Sequence, residues 1–304
     1  MGQWMQAKVV ALAVSTGRYG VSKVGVRGTG GAKGLASGPV IKRVLHSPAL
    51  TRITTTDQKI RDHIGAFGYR PKSLGVALIP RGFIRVVDEG IEQYRQVREK
   101  QVDAFLAGYR REAAQARQVL GELWDPADYP DVGVVRAKFY LETRYLHLGV
   151  PGEFALSHQD LYAREIKKQE VLWAGIYADC RQELRLRALR ELVRFEERLQ
   201  RCGDPVAKNL RMQDRTIRRL QDFCGRFSDL DITDDDAAYK VIDRVCDHLL
   251  GCDAQVLRAS AEARDMLRAG IKEARQACEE MTGQRWAARD PSDPIGLRWE
   301  LVSA

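Results

Sequence analysis

From Gly82 to Trp124 the residues Val87, Ile91, Tyr94, Val97, Val102, Phe105, Tyr109 and Ala113 recur mostly at three- and four-residue intervals. That spacing lines one face of a helix, and a strand cannot bury it. A helix this long needs a second layer to cover its apolar stripe, which makes helix packing the organising element of the chain. The pattern returns after Ser157, where Asp160 three residues on makes a capping-box variant. The helix opened there is expected to run to Arg201, with Leu184, Ala188, Leu192, Phe195 and Leu199 on its apolar face. Gly203-Asp204-Pro205 ends it. Helices are expected from Pro205 to Cys224 and from Asp234 to Met281, the second capped by Thr233 with acids in its first turn. Residues from Trp286 onward read as an irregular tail.

The first half mixes strands with helices. Gln6 to Val14 and Gly75 to Ile79 are short β-branched runs, Val21 to Val26 is a further strand, and Phe139 to Leu148 alternates like a strand with one wet face. Pro39 to His46 is expected as a short helix with proline first. Thr56 is expected to cap a helix through Phe67. Asp125 to Asp131 (DPADYPD) is a break. The expected fold class is therefore α+β: a small sheet with a basic Gly-rich hairpin in the N-terminal half, and a long-helix bundle in the C-terminal half. The domains are expected at 1–152 and 153–304. With 304 residues, 44% of them hydrophobic, the chain can bury a core without disulfides or metals. No apolar run is long enough for a membrane span, and the first residues lack a basic stretch leading into an apolar one. The expected location is cytoplasmic.

Charge is distributed unevenly. Residues 1–56 hold eight Lys or Arg and no Asp or Glu, and the first acid is Asp57. Residues 1–90 hold 14 basic and 4 acidic residues, so the whole +8 excess lies there. A one-signed block of this kind attracts polyanions by phosphate neutralisation and counterion release. The glycines at 17, 20, 25, 28, 30, 31, 34 and 38 would let backbone approach a sugar-phosphate chain. The expected phosphate contacts are Arg18, Lys23, Arg27, Lys33, Lys42, Arg43, Arg52, Arg61, Arg70 and Lys72. Tyr19 and Tyr69 are the expected base-stacking residues. A mobile surface loop is the competing reading of the Gly-rich stretch.

Other chemistries find little footing. The Gly25–Gly34 segment looks like a phosphate loop, but Gly34 stands where a P-loop needs Ser or Thr after Lys33. No acid follows at the distance a dinucleotide fold requires. The acids Asp229 to Asp236 lack the glycine and glutamate of an EF-hand loop, which would fall at Asp234 and Lys240. The six cysteines form no CxxC pair and read as buried hydrophobes in a reducing compartment. The five histidines have no partner at diagnostic spacing. No metal, cofactor or catalytic residue is expected. Arg187, Arg190, Arg194, Arg198 and Arg201 share one helix face, echoed by Arg211, Arg215 and Arg218, with Glu191, Glu196 and Glu197 close enough to make it a salt-bridged solvated face.

Three stretches carry a resemblance: Val9 to Arg18 (VVALAVSTGR), Gly75 to Pro80 (GVALIP) and Val135 to Pro151 (VRAKFYLETRYLHLGVP). They resemble an uncharacterised family of similar length encoded by bacteriophages, plasmids and integrative elements. Its genes often lie near MoxR-type AAA+ ATPases, von Willebrand factor A proteins and recombination genes. The resemblance implies a mobile-element origin and a DNA-processing or ATPase-linked setting, and assigns no catalytic residue. The expectation is a non-enzymatic nucleic-acid-binding protein that holds the sugar-phosphate backbone, with single-stranded DNA or RNA favoured. It would act as a homo-oligomer or as a subunit of a larger complex, with no membrane partner. The alternative is an adaptor of an AAA+ ATPase.

Overall fold

The computed structural model describes residues 7–20, 22–26, 39–149, 158–202, 212–286 and 299–301; side chains are described for 7–20, 44–149, 158–202 and 212–284. The chain is α+β, mostly helical, and divides into two compact units. One is Val10–Leu148; the other is Gly149–Ala304 together with Met1–Val9.

In the first unit β1 (Val9–Gly17) is the middle strand of a three-stranded sheet, flanked by β4 (Ala77–Pro80) and β5 (Tyr140–Leu146). β1 and β5 run antiparallel, in register from Ala11 opposite Leu146 to Gly17 opposite Tyr140. A Cβ at Gly17 would run into the Tyr140 ring, so only glycine lets the sheet close at this end. The hairpin of β2 (Ser22–Val26) and β3 (Pro39–Arg43) is a separate two-stranded ribbon. Residues 39–43 are thus a strand and not the expected helix. Val40 and Ile41 are β-branched, β2 supplies the pairing partner, and proline is tolerated as the first residue of a strand.

Two helices cover the sheet's unit. α1 (Pro48–Phe67) starts eight residues before the expected Thr56, with Ser47 at the N-cap position and Pro48 at N1. Thr56 lies inside α1, buried, and donates a hydrogen bond to Gln101. α2 (Ile84–Leu120) carries most of the predicted stripe: Val87, Ile91, Val102, Phe105 and Tyr109 are buried, against Ile53, Ile60 and Ile64 of α1, whereas Val97, assigned to the same face, is exposed. Where the helices cross, Gly90 makes room for the His63 ring, which a Cβ there would strike. Beside them Tyr19, Leu45, Ile53, Val102, Phe105, Tyr109 and Val135 form one apolar cluster. The break at 125–131 leads into the short α3 (Val132–Arg136), capped by Asp131, which the sequence reading passed over.

In the second unit α4 (Gln159–Arg201) packs with α5 (Asp214–Leu230) and α8 (Ala261–Thr282), while α6 (Asp236–Leu249) packs on α5 and α8. Leu184, Ala188, Leu192, Phe195 and Leu199 are all buried, as their spacing predicts. Ser157 and residues 203–211, with the start expected at Pro205, lie outside the described residues, and α5 runs past Cys224 to Leu230. The single helix expected from Asp234 to Met281 is three. α6 ends before Gly251, whose φ of +71° breaks the helix, and Asp253 then caps α7 (Ala254–Ala259). The cap of α6 is Asp235 rather than Thr233; Asp231 accepts from Thr233 and from the Asp235 amide and so shapes the turn. Past Trp286 the tail is not wholly irregular: β6 (Gln284–Trp286) pairs with β7 (Trp299–Leu301).

Candidate nucleic-acid interface

Two of the expected phosphate contacts sit on a loop built to present them. Tyr69 and Leu78 exchange backbone hydrogen bonds of 2.8 and 2.7 Å, closing the chain between them into a loop. Inside it Leu74 donates to the Pro71 carbonyl, and Gly75 turns the backbone at a φ of +66°. Gly68, just before the closure, has Ile79 and the Leu78 carbonyl against its Cα, so a larger residue would open the loop. Arg70 and Lys72 are exposed on this loop, while Pro71 is buried beneath it. Together with Gly75, Val76 and Ala77, and with Leu12 and Val14 of β1, they line a cavity of about 280 Å³.

The charged residues that line this recess, Arg70 and Lys72, are both basic. Desolvation by burial and then the charge of Arg61 push the Arg70 pKa down, and Asp62 offsets only part of that. Among the described residues no acid forms an ion pair with Arg61, Arg70 or Lys72. Arg61 is held by Gln58 at 3.3 Å instead. A guanidinium in the field of a second one, with no acid in direct contact and only part of its charge offset by Asp62, favours an incoming anion.

The ribbon contributes a second set. Its register places Lys23 opposite Lys42 and Ser22 opposite Arg43. Arg27 and Lys33 lie outside the described residues. Arg52 is exposed on α1 and has no ion-pair partner among the described residues. It stands nine positions from Arg61, two and a half helical turns, so the two fall on opposite borders of the helix's outer face. The structure therefore gathers Arg61, Arg70 and Lys72, and leaves Arg52 apart.

Three expected residues are used internally. Tyr69 is 1% exposed and anchors the loop, so no base can stack on it. Tyr19 is 8% exposed, lies edge-on to Tyr109, and donates its hydroxyl to the Asp128 carbonyl. Both stacking assignments are corrected on this ground: aromatics that punctuate a basic stretch also fill the core beneath it. Arg18 donates to Thr54 at 2.9 Å and sits 3.5 Å from the carboxylate of Asp57. Asp57 is fully buried and is held at 2.7 Å by Arg98, which also donates to the Gly17 carbonyl. The role of Arg18 is thus tied to a buried acid that spacing alone does not connect to it.

The described residues offer no group of three or more His, Cys, Asp or Glu placed to hold a metal ion. Burial pushes the thiols of Cys180 and Cys278 up to about 12 and raises that of Cys224, which disfavours the nucleophilic thiolate. No described helix is long and apolar enough to cross a membrane. No family model, curated protein or solved structure matches the chain.

Proposed function

We propose that the first unit binds the sugar-phosphate backbone of nucleic acid without reading bases and without catalysis. The observation that carries this is the recess under the 70–77 loop, where Arg70 stands in the field of Arg61 beside Lys72 with no acid to pair it. The acid-free ribbon extends the same charge. With Tyr19 and Tyr69 covered, stacking has no named platform, so affinity for duplex and single strands should be similar. A protein of this kind suits the phage or mobile-element setting that the sequence resemblance suggests, as a subunit of a larger assembly.

The test is fluorescence anisotropy with labelled single- and double-stranded oligonucleotides across a salt titration. If Arg61, Arg70, Lys72, Lys23, Lys42 and Arg43 each neutralise one phosphate, the slope of log K against log salt is about −5 on duplex and about −4 on single strands. Replacing Arg70 and Lys72 by Ala should flatten the duplex slope by about 2. A chain that binds no oligonucleotide at low salt refutes the reading, and the basic face would then meet an acidic protein surface such as that of an AAA+ ATPase.

A further inference from the structure

The second unit holds a cleft of about 470 Å³ between α4 and α5. Arg194, Arg198 and Arg201 line it from α4, and Arg215 and Arg219 from α5. Its floor includes Phe195 and Leu220, each only 2% exposed. Two acids share the lining, Glu191 and Glu197, against five arginines. Glu191 is already committed. It takes Arg219 through two contacts, 2.9 and 2.7 Å, and Arg194 through one at 3.0 Å. Its hydrogen bond to Arg219 raises the pKa of that guanidinium, consistent with a settled pair. Among the described residues Arg198, Arg201 and Arg215 have no ion-pair partner. The sequence reading of a salt-bridged solvated face therefore holds for Arg194 and, through Glu183, for Arg187 and Arg190, and fails for Arg198, Arg201 and Arg215.

We propose that this cleft binds a small anion made of linked phosphates. The lining is rich in arginine and contains no lysine, and the planar guanidinium fork matches phosphate oxygens in pairs. A volume of this size fits a small ligand. Arg194 and Arg198 are one helical turn apart, roughly 6 Å along the axis, and Arg215 and Arg219 repeat that step across the cleft. A single phosphate cannot meet two such rows, whereas a di- or triphosphate chain can. The buried rings and side chains of the floor leave no exposed aromatic face for a base. Recognition thus rests on the phosphate chain, and a free polyphosphate and a nucleoside triphosphate are both candidate sources. The inference uses residues separate from the nucleic-acid reading and does not depend on it.

Isothermal titration of the intact chain with tripolyphosphate, with ATP and with inorganic phosphate tests this. Tripolyphosphate and ATP should bind with similar affinity, and inorganic phosphate much more weakly. Each charge-assisted contact is worth roughly a tenfold change in affinity, so the Arg198→Ala, Arg215→Ala double variant should lose about a hundredfold. Both side chains are exposed, so circular dichroism should show an unchanged fold. The Arg70→Ala, Lys72→Ala variant should bind tripolyphosphate as the parent does. The proposal is overturned if tripolyphosphate does not bind, if ATP binds and tripolyphosphate does not, if the cleft variant binds normally, or if the loop variant loses the same affinity.

Discussion

Removing the Asp57 charge should destabilise the first unit more than any exposed substitution there. Asp57 is 0% exposed and Arg98 4%. Their contact is 2.7 Å, and the other Arg98 donor reaches the Gly17 carbonyl at 2.7 Å, tying β1, α1 and α2 together. In Asp57→Asn the Arg98 charge stays buried with only neutral carbonyl acceptors and no counter-charge, and the nearby Arg18 adds repulsion. Breaking a buried pair from one side costs about 3–5 kcal/mol. With a urea dependence of about 2 kcal/mol per molar, the unfolding midpoint should fall by roughly 2 M. Asp57→Leu combined with Arg98→Met removes both charges, and should cost about 2 kcal/mol less than the two single changes added together. Equilibrium unfolding in urea, followed by far-ultraviolet circular dichroism, gives all five midpoints: the parent, Asp57→Asn, the two single changes and the double variant. An Asp57→Asn midpoint within about 0.3 M of the parent, on the same dependence, would refute the reasoning. So would strict additivity of the pair.

Three other predictions concern the second unit. Gly225 has open space where a Cβ would stand, so Gly225→Ala in α5 should stabilise by about 0.5–1 kcal/mol. At Gly270 a Cβ meets the His248 ring, so Gly270→Ala should destabilise despite the same gain in helix propensity; urea midpoints moving the same way for both would contradict this. Burial opposes ionisation of Asp235, but its two contacts to Arg185, 2.6 and 2.9 Å, and the amide it caps outweigh burial and lower its pKa. Its contribution is therefore full above the unfolded carboxylate range and vanishes as pH falls through the lowered folded value. Asp235→Asn should flatten the acid limb of stability against pH, and an unchanged limb would remove Asp235 from the account.

The helical part of the fold was legible because burial and spacing carry the same information. Val87, Ile91, Val102, Phe105 and Tyr109 recur on one face, and that face is the core. Boundaries were less legible, because they depend on caps that compete. Ser47-Pro48 and Thr56 are both acceptable helix starts in isolation, and Thr56 loses because Ile53 must already be helical to reach the cluster with Phe105. The helix expected from Asp234 to Met281 had its breaker in plain view at Gly251 followed by Asp253, a left-handed glycine and an N-cap in succession. Residues 39–43 could not be settled locally, since what makes them a strand is β2, which lies beyond a Gly-rich stretch.

The charge pattern has a different limit. Net charge is a sum over residues, but binding depends on which cations remain unpaired after folding. Arg18 belongs to the acid-free stretch, yet the first acid in the sequence, Asp57, is the group that engages it. Arg70 and Lys72, which follow that acid, stay available because the Tyr69–Leu78 closure turns them outward over an apolar recess. On α4 the same accounting runs the other way. Glu191 takes Arg194 and Arg219 and forms no ion pair with Arg198, so a stripe that looks neutralised by composition keeps unpaired cations at one end. In both units the unmatched cations gather where a buried side chain, Tyr69 or Phe195, fixes the backbone beneath them. An unpaired cation breaks no existing ion pair on meeting an anion, and that makes these two patches better candidates than the arginines already paired along mixed helix faces.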